Sequence, residues 1–294
     1  MRAMLLAAGR GERMRPLTDT VPKPLLAVGG KPLIVWQIER LVRAGFTDIV
    51  INVSYRGDQI VDALGSGVQF GATIRYSREA EPMETAGGIA HALPLLGEGL
   101  VIVAAADVYA EFDYRGLVAR IDDDDVGAGS GSGGGSSGSG GGGSSGSDVG
   151  SGGGGVRLVL VPNPAFRPQG DYTLALGPQP AQVGLEGSPR WTWSGIGVFP
   201  VALLGEIPPG RKMPLLPFFA DWIGRGLVRG EVYRGTWDNL GTPEQLNRLD
   251  VSLKLDQQNP RHQHQNQPHA GSHDRPTPRN HPDNPDGVEA MPGQ

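Results

Sequence analysis

The sequence predicts an α/β fold with a Rossmann-like, doubly wound sheet that is mixed but mainly parallel. Three observations predict it. Residues 3–8 form a continuous apolar run, which is typical of a strand buried on both faces. Short β-rich runs then alternate with amphipathic helical segments, as in βαβ units. Finally, residues 1–126 and 156–255 remain when two stretches of unusual composition are set aside, and these 226 residues suit one large domain.

The first half contains four predicted strands and three predicted helices. In chain order they are strand 3–8, helix 33–44, strand 49–53, helix 59–64, strand 73–76, helix 87–96 and strand 101–105. In the first helix, positions 34, 38, 41 and 42 are apolar with polar residues between them, and Gly45 follows where a left-handed cap is common. The last strand leads to Asp107, so a carboxylate lies at the carboxyl end of a buried strand, where open parallel sheets bind ligands.

The second half has a less regular pattern. It predicts helix 114–121, strands 156–161, 172–176 and 193–199, and helix 215–223. The start of the last helix is better marked, because Thr242 is a candidate N-cap, Pro243 occupies the first helical position and Gln245 completes a capping box. One face of that helix is marked by Leu246, Leu249 and Leu253.

Two stretches of unusual composition define the domain boundaries. Residues 127–155 contain 17 Gly and 9 Ser in 29 positions, and residues 256–294 are rich in Pro, His, Gln and Asn. We therefore predict one domain over 1–255, interrupted by a flexible insertion at 127–155, and a disordered polar tail at 256–294. The aspartates at 122–125 lack the alternating spacing of a calcium loop, and the five histidines of the tail fit an unstructured segment better than a metal site.

Composition excludes several classes of function. The chain has no cysteine, which excludes disulfide scaffolds, thiol nucleophiles and thiolate metal sites. A net charge of −5 argues against a protein that coats nucleic acid. The longest apolar run, residues 101–106, is far shorter than the ~20 residues that cross a bilayer, and residues 9–13 do not fit a signal-peptide cleavage region. We expect a cytoplasmic protein without a nucleic-acid or membrane partner.

The segment 5–32 contains the strongest chemical signal. Gly9 and Gly11 follow the first strand in a turn where the backbone can approach a ligand closely. Glycine amides and guanidinium groups bind phosphate oxygens. Four cations within fourteen residues therefore indicate a polyphosphate ligand: Arg10, Arg13, Arg15 and Lys23.

Two better-known glycine motifs are absent from this segment. Met14 stands where a dinucleotide-binding fingerprint has its third glycine, and Glu12 would crowd a pyrophosphate. Pro32 follows Gly30-Lys31 where a P-loop has Ser or Thr. The loop is therefore a phosphate-binding element of another kind.

These motifs resemble those of the sugar-1-phosphate nucleotidyltransferases, also called nucleoside-diphosphate-sugar pyrophosphorylases. The resemblance rests on residues 9–15, Pro22-Lys23-Pro24-Leu25, Ile51-Asn52, residues 81–88, Asp107-Val108-Tyr109, Ser194-Gly195-Ile196 and Gly241-Thr242-Pro243. It covers residues 1–255 except the insertion, and it implies the nucleotide-diphospho-sugar transferase fold without the β-helix domain of longer members. Among short members, the chain most resembles the N-acetylmuramate-1-phosphate uridylyltransferases of cell-wall recycling.

The resemblance also implies a reaction and a set of site residues. An oxygen of a sugar 1-phosphate would attack the α-phosphorus of a nucleoside triphosphate in the presence of Mg²⁺, and pyrophosphate would leave. The implied catalytic residues are Arg13, Lys23 and Asp107. The implied nucleotide-binding residues are Leu6, Ala8, Gly9, Gly11, Arg13, Lys23, Glu81 and Gly87. The implied sugar-binding residues are Glu84, Asn163, Asp171, Ser194 and Lys212, and the implied metal ligands are Asp107 and Asn239.

The chemistry of Glu81 limits the choice of base. A carboxylate facing the base can only accept hydrogen bonds, which uracil N3–H or the guanine N1–H and N2–H groups can donate, whereas adenine presents an acceptor at N1. This favours UTP, dTTP or GTP over ATP. The lactyl carboxylate of a muramate would need a cation, for which Arg167, Arg190 and Arg211 are equivalent candidates.

The chain departs from the family pattern at two places. Ala105-Ala106 replaces the usual Asn-Gly or Asn-Ala before Asp107, which removes an amide that could bind sugar hydroxyls. Asn239 stands at the position of a metal-binding aspartate, so the metal site has one negative charge fewer. Asp238 is adjacent, but neighbouring side chains on a strand point to opposite faces.

The sequence therefore predicts a Mg²⁺-dependent nucleotidyltransferase that acts on a nucleoside triphosphate and a sugar 1-phosphate as a monomer or homodimer. Uridylyl transfer to N-acetylmuramate 1-phosphate is the first hypothesis. Synthesis of GDP-mannose or dTDP-glucose on the same fold is the enzymatic alternative. The alternative of another class is a catalytically weakened nucleotide- or sugar-binding module, which Ala105 and Asn239 suggest.

Overall fold

The described residues, 1–118 and 155–258 of the computed structural model, form thirteen strands and seven helices. The strands are β1 Arg2–Leu6, β2 Ala27–Val28, β3 Lys31–Pro32, β4 Asp48–Val53, β5 Thr73–Arg78, β6 Leu100–Ala105, β7 Val108–Ala110, β8 Val156–Val161, β9 Tyr172–Leu174, β10 Ala181–Gly184, β11 Arg190–Pro200, β12 Val228–Val232 and β13 Trp237–Asn239. The helices are α1 Leu33–Arg43, α2 Gly57–Leu64, α3 Glu84–Leu96, α4 over residues 114–118, α5 Val201–Leu204, α6 Leu216–Gly224 and α7 Pro243–Gln258.

Nine of these strands form one sheet in the order β5-β4-β1-β6-β11-β8-β12-β10-β9. All neighbours from β5 to β6 are parallel, and β12 is parallel to β8. Strand β11 is antiparallel to β6 and β8, and β10 is antiparallel to β12 and β9. Seven strands thus point the same way and only β10 and β11 are reversed, which confirms the predicted mixed, mainly parallel sheet.

The order of the parallel strands creates a crevice next to β1. The chain passes from β1 to β4 and β5 on one side, and then returns through α3 to β6 on the other side of β1. Open α/β sheets bind ligands outside the carboxyl ends of their strands at such a switch point. The fold therefore places a ligand site at the ends of β1 and β6, where Asp107 follows.

Apolar side chains cover both faces of the parallel strands. Leu5 belongs to a buried cluster with Ile34 of α1, and the next residue back, Met4, belongs to a second cluster with Ile89 of α3. Alternate side chains of a strand point to opposite faces. The run at the start of the chain is apolar throughout because helices bury both faces of β1.

A third apolar cluster holds α7 against the loop that follows β1. Its members include Met14 and Tyr109 together with the three predicted leucines of α7: Leu246, Leu249 and Leu253. The capping box at the start of this helix is confirmed, since the Thr242 N–H donates to Gln245 Oε1 (3.0 Å) and the Gln245 N–H donates to Thr242 Oγ1 (3.4 Å). Helix α7 is therefore fixed both at its start and along its apolar face.

Several predicted boundaries were wrong for reasons of tertiary contact. Strand β1 ends at Leu6, not at residue 8, because the Ala7 N–H donates to the side chain of Asn52 (2.8 Å). Helix α3 begins at Glu84, three residues before the predicted start, where its first turn bonds to the Met213 carbonyl. Strand β9 stops at residue 174 instead of 176, and β11 extends to 190–200 around a register shift between Trp193 and Ile196.

Other elements were not predicted at all, namely β2, β3, β7, β10, β12, β13 and α5. Strand β12 has the sequence Val-Arg-Gly-Glu-Val, so its charges and its glycine hide its burial next to β8.

Some predicted segments lie wholly or partly outside the described residues. Of the predicted helix 114–121, residues 114–118 are helical and the rest lies outside the described residues. The Gly/Ser insertion up to residue 154, the aspartates at 122–125 and residues 259–294 of the tail also lie outside them. Among the described helices, none combines the length and apolar character needed to cross a membrane.

We predict that Leu249→Ala destabilises the fold far more than Val251→Ala on the same helix. Leu249 is 4% exposed within the third apolar cluster, whereas Val251 is 57% exposed. Truncating a buried leucine costs about 2–5 kcal/mol, and an exposed substitution changes the free energy of unfolding by about 0.5 kcal/mol or less. Chemical denaturation of both variants measures the difference, and equal midpoints would show that α7 does not pack as described.

Candidate active site

An open cavity of about 890 Å³ lies at the carboxyl ends of β1 and β6. This is a size typical of pockets that bind small molecules. Its lining combines the loop after β1, the start of α3 and the turn after β6. The lining residues are Leu6, Ala7, Ala8, Gly9, Arg10, Gly11, Glu12, Arg13, Met14, Lys23, Pro24, Asn52, Glu81, Pro82, Glu84, Thr85, Ala105, Asp107, Lys212 and Gly241. Most of the nucleotide residues inferred from the sequence therefore meet in one place.

The loop after β1 depends on the conformation of Gly11. This residue has φ of 64° in the left-handed region, and a Cβ there would come within 3.0 Å of Thr18 Cγ2 and 3.1 Å of Lys23 Cβ. Its carbonyl accepts hydrogen bonds from the Met14 N–H (2.8 Å) and from Thr18 Oγ1 (2.9 Å). The loop thus folds back on itself, and only glycine fits at its pivot.

Arg13 projects from this loop with its guanidinium free for a ligand. The guanidinium lies against Gly241, about 3.5 Å from where a Cβ on that glycine would be. Within the described residues Arg13 forms no ion pair. An exposed, unpaired guanidinium on the rim of a cavity suits paired hydrogen bonds to phosphate oxygens.

The two residues that precede α2 support the same loop. The Tyr55 hydroxyl donates to the Thr18 carbonyl (2.9 Å), and Arg56 donates to the Asp19 carbonyl. Because Thr18 Oγ1 also donates to the Gly11 carbonyl, Tyr55 is linked to the Gly11 turn through a single intermediate residue. The sequence contained no signal for this contact, since Tyr55 and Thr18 are 37 residues apart.

An ion pair joins the two sides of the cavity. Lys23 Nζ lies 2.6 Å from Asp107 Oδ2, and the Lys23 side chain is only 10% exposed, against 35% for that of Asp107. Two of the three residues predicted to be catalytic are therefore in direct contact. The pair brings a cation and a carboxylate to one point at the switch between β1 and β6.

The two candidates for the second metal ligand have different surroundings. Strand β13 pairs with β7 so that Asn239 lies opposite Val108 and Asp238 lies opposite Tyr109. The Asp238 carboxylate forms an ion pair with Arg248 of α7 at 3.2 Å. Asn239 Oδ1 is buried and, within the described residues, has no hydrogen-bond partner. A buried acceptor without a donor is costly unless something binds it, so Asn239 is the better candidate.

Buried polar side chains connect the phosphate loop with the segment before α3. Asn52 Oδ1 accepts from the Ala7 N–H (2.8 Å), and its Nδ2 donates to Glu79 Oε1 (2.7 Å). Glu79 Oε2 in turn accepts from the Met83 N–H (2.9 Å). A Cβ on Gly88 would lie 2.6 Å from Glu79 Oε1 and 2.7 Å from Asn52 Nδ2, so glycine is required beside this network.

The start of α3 brings two further acidic residues to the cavity. Glu81 is exposed and forms an ion pair with Arg10 at 2.9 Å, which joins the phosphate loop to the segment before α3. Glu84 also lines the cavity and has φ of 59°, a left-handed conformation that is strained for a residue with a side chain. Such strain is common in binding sites, where surrounding contacts maintain it.

Gly87 was predicted to bind the nucleotide, but it does not line the described cavity and instead packs against the segment 211–213. Its N–H and that of Ala86 donate to the Met213 carbonyl at 3.2 and 3.0 Å, and a Cβ on Gly87 would lie 2.3 Å from the Arg211 carbonyl oxygen. The Met213 N–H donates back to the Met83 carbonyl (3.0 Å). Gly87 therefore allows the segment 211–213 to approach α3, and this places Lys212 at the cavity.

Three predicted sugar residues do not line the described cavity. Asp171 accepts from the Trp193 N–H (2.9 Å) and pairs with Arg167. Asn163 accepts from Thr192 Oγ1 (3.0 Å), and Ser194 is 1% exposed with Oγ accepting from the Ile196 N–H (3.2 Å). All three are bonded around the irregular part of β11.

The irregular part of β11 nevertheless borders the site. Gly195 has φ of 82°, and a Cβ there would lie 3.1 Å from the Cβ of Ala105, which lines the cavity. Ala105, which departs from the family pattern, therefore packs against the irregular part of β11. Of the predicted sugar residues, Glu84 and Lys212 reach the cavity directly, and Ser194 lies one residue behind it.

Comparisons with known proteins all point to the nucleotidyltransferases. The sequence model of the family described as Nucleotidyl transferase matches residues 2–131. An N-acetylmuramate alpha-1-phosphate uridylyltransferase from Neisseria meningitidis serogroup B is 40% identical over 243 residues, which cover 82% of this chain and 94% of that enzyme. A mannose-1-phosphate guanyltransferase from Aspergillus oryzae is 42% identical over 120 residues, but these cover only 40% of this chain and 33% of that enzyme.

Solved structures share the fold at low sequence identity. The UDP-glucose pyrophosphorylase from Acinetobacter baumannii superposes with a TM-score of 0.65 at 14% identity, over 87% of this chain and 96% of that one. HddC from Yersinia pseudotuberculosis gives a TM-score of 0.63 at 20% identity, over 86% and 99% of the two chains. These likenesses confirm the predicted fold class.

We predict that Gly88→Ala lowers stability by separating the Asn52 and Glu79 side chains, whereas Gly224→Ala does not. A Cβ on Gly224 at the end of α6 meets nothing within 4 Å, which makes it the matched control. Losing partners for buried polar groups costs about 1–3 kcal/mol. Thermal unfolding measures the loss, and hydrogen exchange at the Ala7 and Met83 amides locates it; unchanged exchange at both amides would contradict the network.

Proposed function

The chain belongs to the sugar-1-phosphate nucleotidyltransferases, and from this premise we propose that it transfers a uridylyl group from UTP to N-acetylmuramate 1-phosphate with Mg²⁺. The products are then UDP-N-acetylmuramate and pyrophosphate, in cell-wall recycling in the cytoplasm. The observation that supports the proposal most is the contact of Lys23 with Asp107 beside the Gly11 turn, in a chain that is 40% identical to a uridylyltransferase of this specificity. We propose a monomer or homodimer as the active form.

The main chemical difficulty of such a reaction is the repulsion between two anions. An oxygen of the sugar phosphate forms a bond to the α-phosphorus, and the bond between that phosphorus and the bridging oxygen of pyrophosphate breaks. Catalysis of this kind depends on positioning and on neutralising charge. The cations on the cavity wall, Arg13, Lys23 and Lys212, supply that charge from the nucleotide side and from the sugar side.

We assign the triphosphate to the loop after β1. Leu6, Ala8 and Gly9 line the inner wall, and the Gly11 turn presents its backbone to the cavity. Arg13 is free to bind the β- and γ-phosphates. Lys23 is held by Asp107 at the level of the α-phosphate, where it stabilises the charge that develops during transfer.

The residues around Asp107 fit a hard divalent cation. Asp107 lines the cavity and offers a carboxylate. Asn239 is not among the lining residues, but it offers a buried amide oxygen for which the described residues provide no donor. Magnesium prefers such oxygen ligands and keeps several waters. Within the described residues no cluster of three acidic or histidine side chains could hold a metal by itself. When bound, the cation would neutralise charge on the phosphates, and Asp107 and Asn239 are the side chains that would hold it.

The base and the sugar are assigned to opposite ends of the cavity. Glu81 accepts from a donor on the base edge, which supports UTP over ATP. We assign Lys212 to the sugar phosphate and Glu84 to the polar groups of the sugar, and we place Asn163, Asp171 and Ser194 behind them as supports of the β11 bulge. Arg167 and Arg190 bond to Asp171 or its carbonyl, which leaves Arg211, next to Lys212, as the preferred candidate for a lactyl carboxylate.

A panel of substrates tests this assignment against its alternatives. We expect the largest rate of pyrophosphate release for UTP with N-acetylmuramate 1-phosphate, and mass spectrometry identifies the nucleotide sugar. GTP with mannose 1-phosphate and dTTP with glucose 1-phosphate are the competing pairs, and the first is motivated by the similarity of 120 residues to a guanyltransferase. Preference for either pair would correct the substrate while keeping the reaction class.

The binding-module alternative makes a different prediction. Nucleotide binding without pyrophosphate release from any pair, followed by turnover in Asn239→Asp, would favour it. Under the enzyme proposal the wild-type protein turns over, and Asn239→Asp lowers the Mg²⁺ concentration needed for half-maximal rate because it adds one negative charge next to the cation. A titration with Mg²⁺ measures both proteins side by side.

We predict that Lys23→Ala reduces kcat by about 10²–10³-fold, the loss typical for a group that stabilises transition-state charge. Its fold should persist, because Asp107 is about one-third exposed and water can solvate the freed carboxylate. Lys254→Ala is the control, since Lys254 pairs with Asp250 on the surface of α7 and lies outside the cavity lining. Equal kcat in Lys23→Ala and wild type would remove Lys23 from the mechanism.

A further inference from the structure

The turn that contains Asp107 is fixed by hydrogen bonds from three different elements. The Ala106 N–H donates to the Leu6 carbonyl of β1 (3.1 Å), and the Leu240 N–H after β13 donates to the Asp107 carbonyl (3.1 Å). The third bond comes from a side chain, because Gln37 Nε2 of α1 donates to the Val108 carbonyl (2.7 Å). Three consecutive residues are thus each held by a separate part of the fold.

Gln37 is the unusual member of this set. It is 0% exposed on the face of α1 that otherwise buries leucine, isoleucine and valine. Its Oε1 accepts a hydrogen bond from the Tyr114 hydroxyl (2.6 Å), and Tyr114 is also 0% exposed. Burial raises the pKa of Tyr114, so its hydroxyl stays protonated and remains a donor. A fully satisfied polar pair in an apolar core imposes a specific geometry that apolar packing alone would not.

The Val108 carbonyl lies close in the backbone to both candidate metal ligands. Val108 follows Asp107 directly and pairs with Asn239 across the β7–β13 ladder. This ladder is a separate two-stranded sheet of three residue pairs, and an isolated ribbon of that size has little stability of its own. The position of both candidate ligands therefore depends on what anchors the ribbon to the core.

We propose that Gln37 is a positioning residue that sets the relative placement of Asp107 and Asn239 by holding the Val108 carbonyl. The proposal rests on the proposed function in one respect, namely that a divalent cation binds between these two side chains. Gln37 does not touch the ligand site, and it acts through the backbone that presents both cation ligands. Losing a group that bonds directly to a metal ligand weakens metal binding by about 10–100-fold. Gln37 bonds the backbone next to Asp107 instead, so we expect a loss at the lower end, about tenfold.

The test compares three variants of the full chain. Gln37→Met removes the donor to Val108 and keeps the size of the side chain. Tyr114→Phe is the matched control, because it removes the bond to Gln37 Oε1 but leaves the bond from Gln37 to Val108. In the double variant both partners of the buried pair become apolar. This costs less stability than leaving the tyrosine hydroxyl unpaired. The double variant therefore replaces Gln37→Met in the test if that variant folds poorly.

The first readout is the affinity for Mn²⁺, measured by electron paramagnetic resonance with and without UTP. This measurement does not require the protein to be catalytically active. We expect Gln37→Met and the double variant to bind Mn²⁺ roughly tenfold more weakly than wild type, and Tyr114→Phe to stay close to wild type. Equal Mn²⁺ affinity in all four proteins would overturn the proposal, as would a loss in Tyr114→Phe equal to that in Gln37→Met. Absence of Mn²⁺ binding by the wild-type protein in both conditions would also overturn it.

The second readout separates positioning from general loss of stability. In the variants that lack Gln37, the Mg²⁺ concentration for half-maximal rate should rise roughly tenfold, while kcat recovers at saturating Mg²⁺ and KM for UTP changes little. A merely structural role would lower kcat at every Mg²⁺ concentration. If wild type shows no turnover with any substrate pair, the proposed function fails, yet the Mn²⁺ measurements still decide the role of Gln37.

Discussion

The contact between Lys23 and Asp107 is the interaction on which the site is organised. Lys23 belongs to the loop after β1, and Asp107 belongs to the turn after β6, so the ion pair spans the switch point of the sheet. A cation and a carboxylate held 2.6 Å apart leave the site locally neutral until a ligand arrives. An anionic nucleotide and a divalent cation can then be accepted together, because each meets a group of opposite charge. The parallel strands, the glycine turn and the ribbon of β7 and β13 all serve to keep these two side chains facing each other.

Buried amide side chains maintain that arrangement. Asn52 connects the end of β1 with Glu79 before α3, and Gln37 connects α1 with the turn after Asp107. An amide can donate and accept at the same time without carrying charge, so it can bridge backbone groups in a core where a charged residue would be costly. Behind the cations and carboxylates that line the cavity, these amides and the buried Glu79 carboxylate fix the backbone.

The sugar side of the site is built differently. Its wall is formed by the irregular part of β11 and by the segment 211–213, which α3 holds through Ala86 and Gly87. Asn163 and Asp171 bond to the backbone and side chains around the irregularity and do not line the described cavity. Lys212 reaches the cavity because Gly87 allows the backbone of residues 211–213 to approach α3. The shape of this wall therefore depends on backbone packing as well as on side chains.

The sequence by itself determined the fold class, the start of α7 and the glycine-containing turn after β1, because each depends on local patterns: apolar periodicity, a capping box, and glycines beside clustered cations. It also brought together Gly11, Lys23 and Asp107, since strand ends of a parallel sheet meet at one edge. Only the tertiary structure decided the roles of Gln37, Glu79 and Tyr55, whose partners lie from 4 to 77 residues away and leave no local signal. It also distinguished Asn239, whose buried oxygen has no partner among the described residues, from Asp238, which pairs with Arg248. Periodicity reports which face of an element is buried, whereas the partner of a buried polar group depends on which elements the fold brings together.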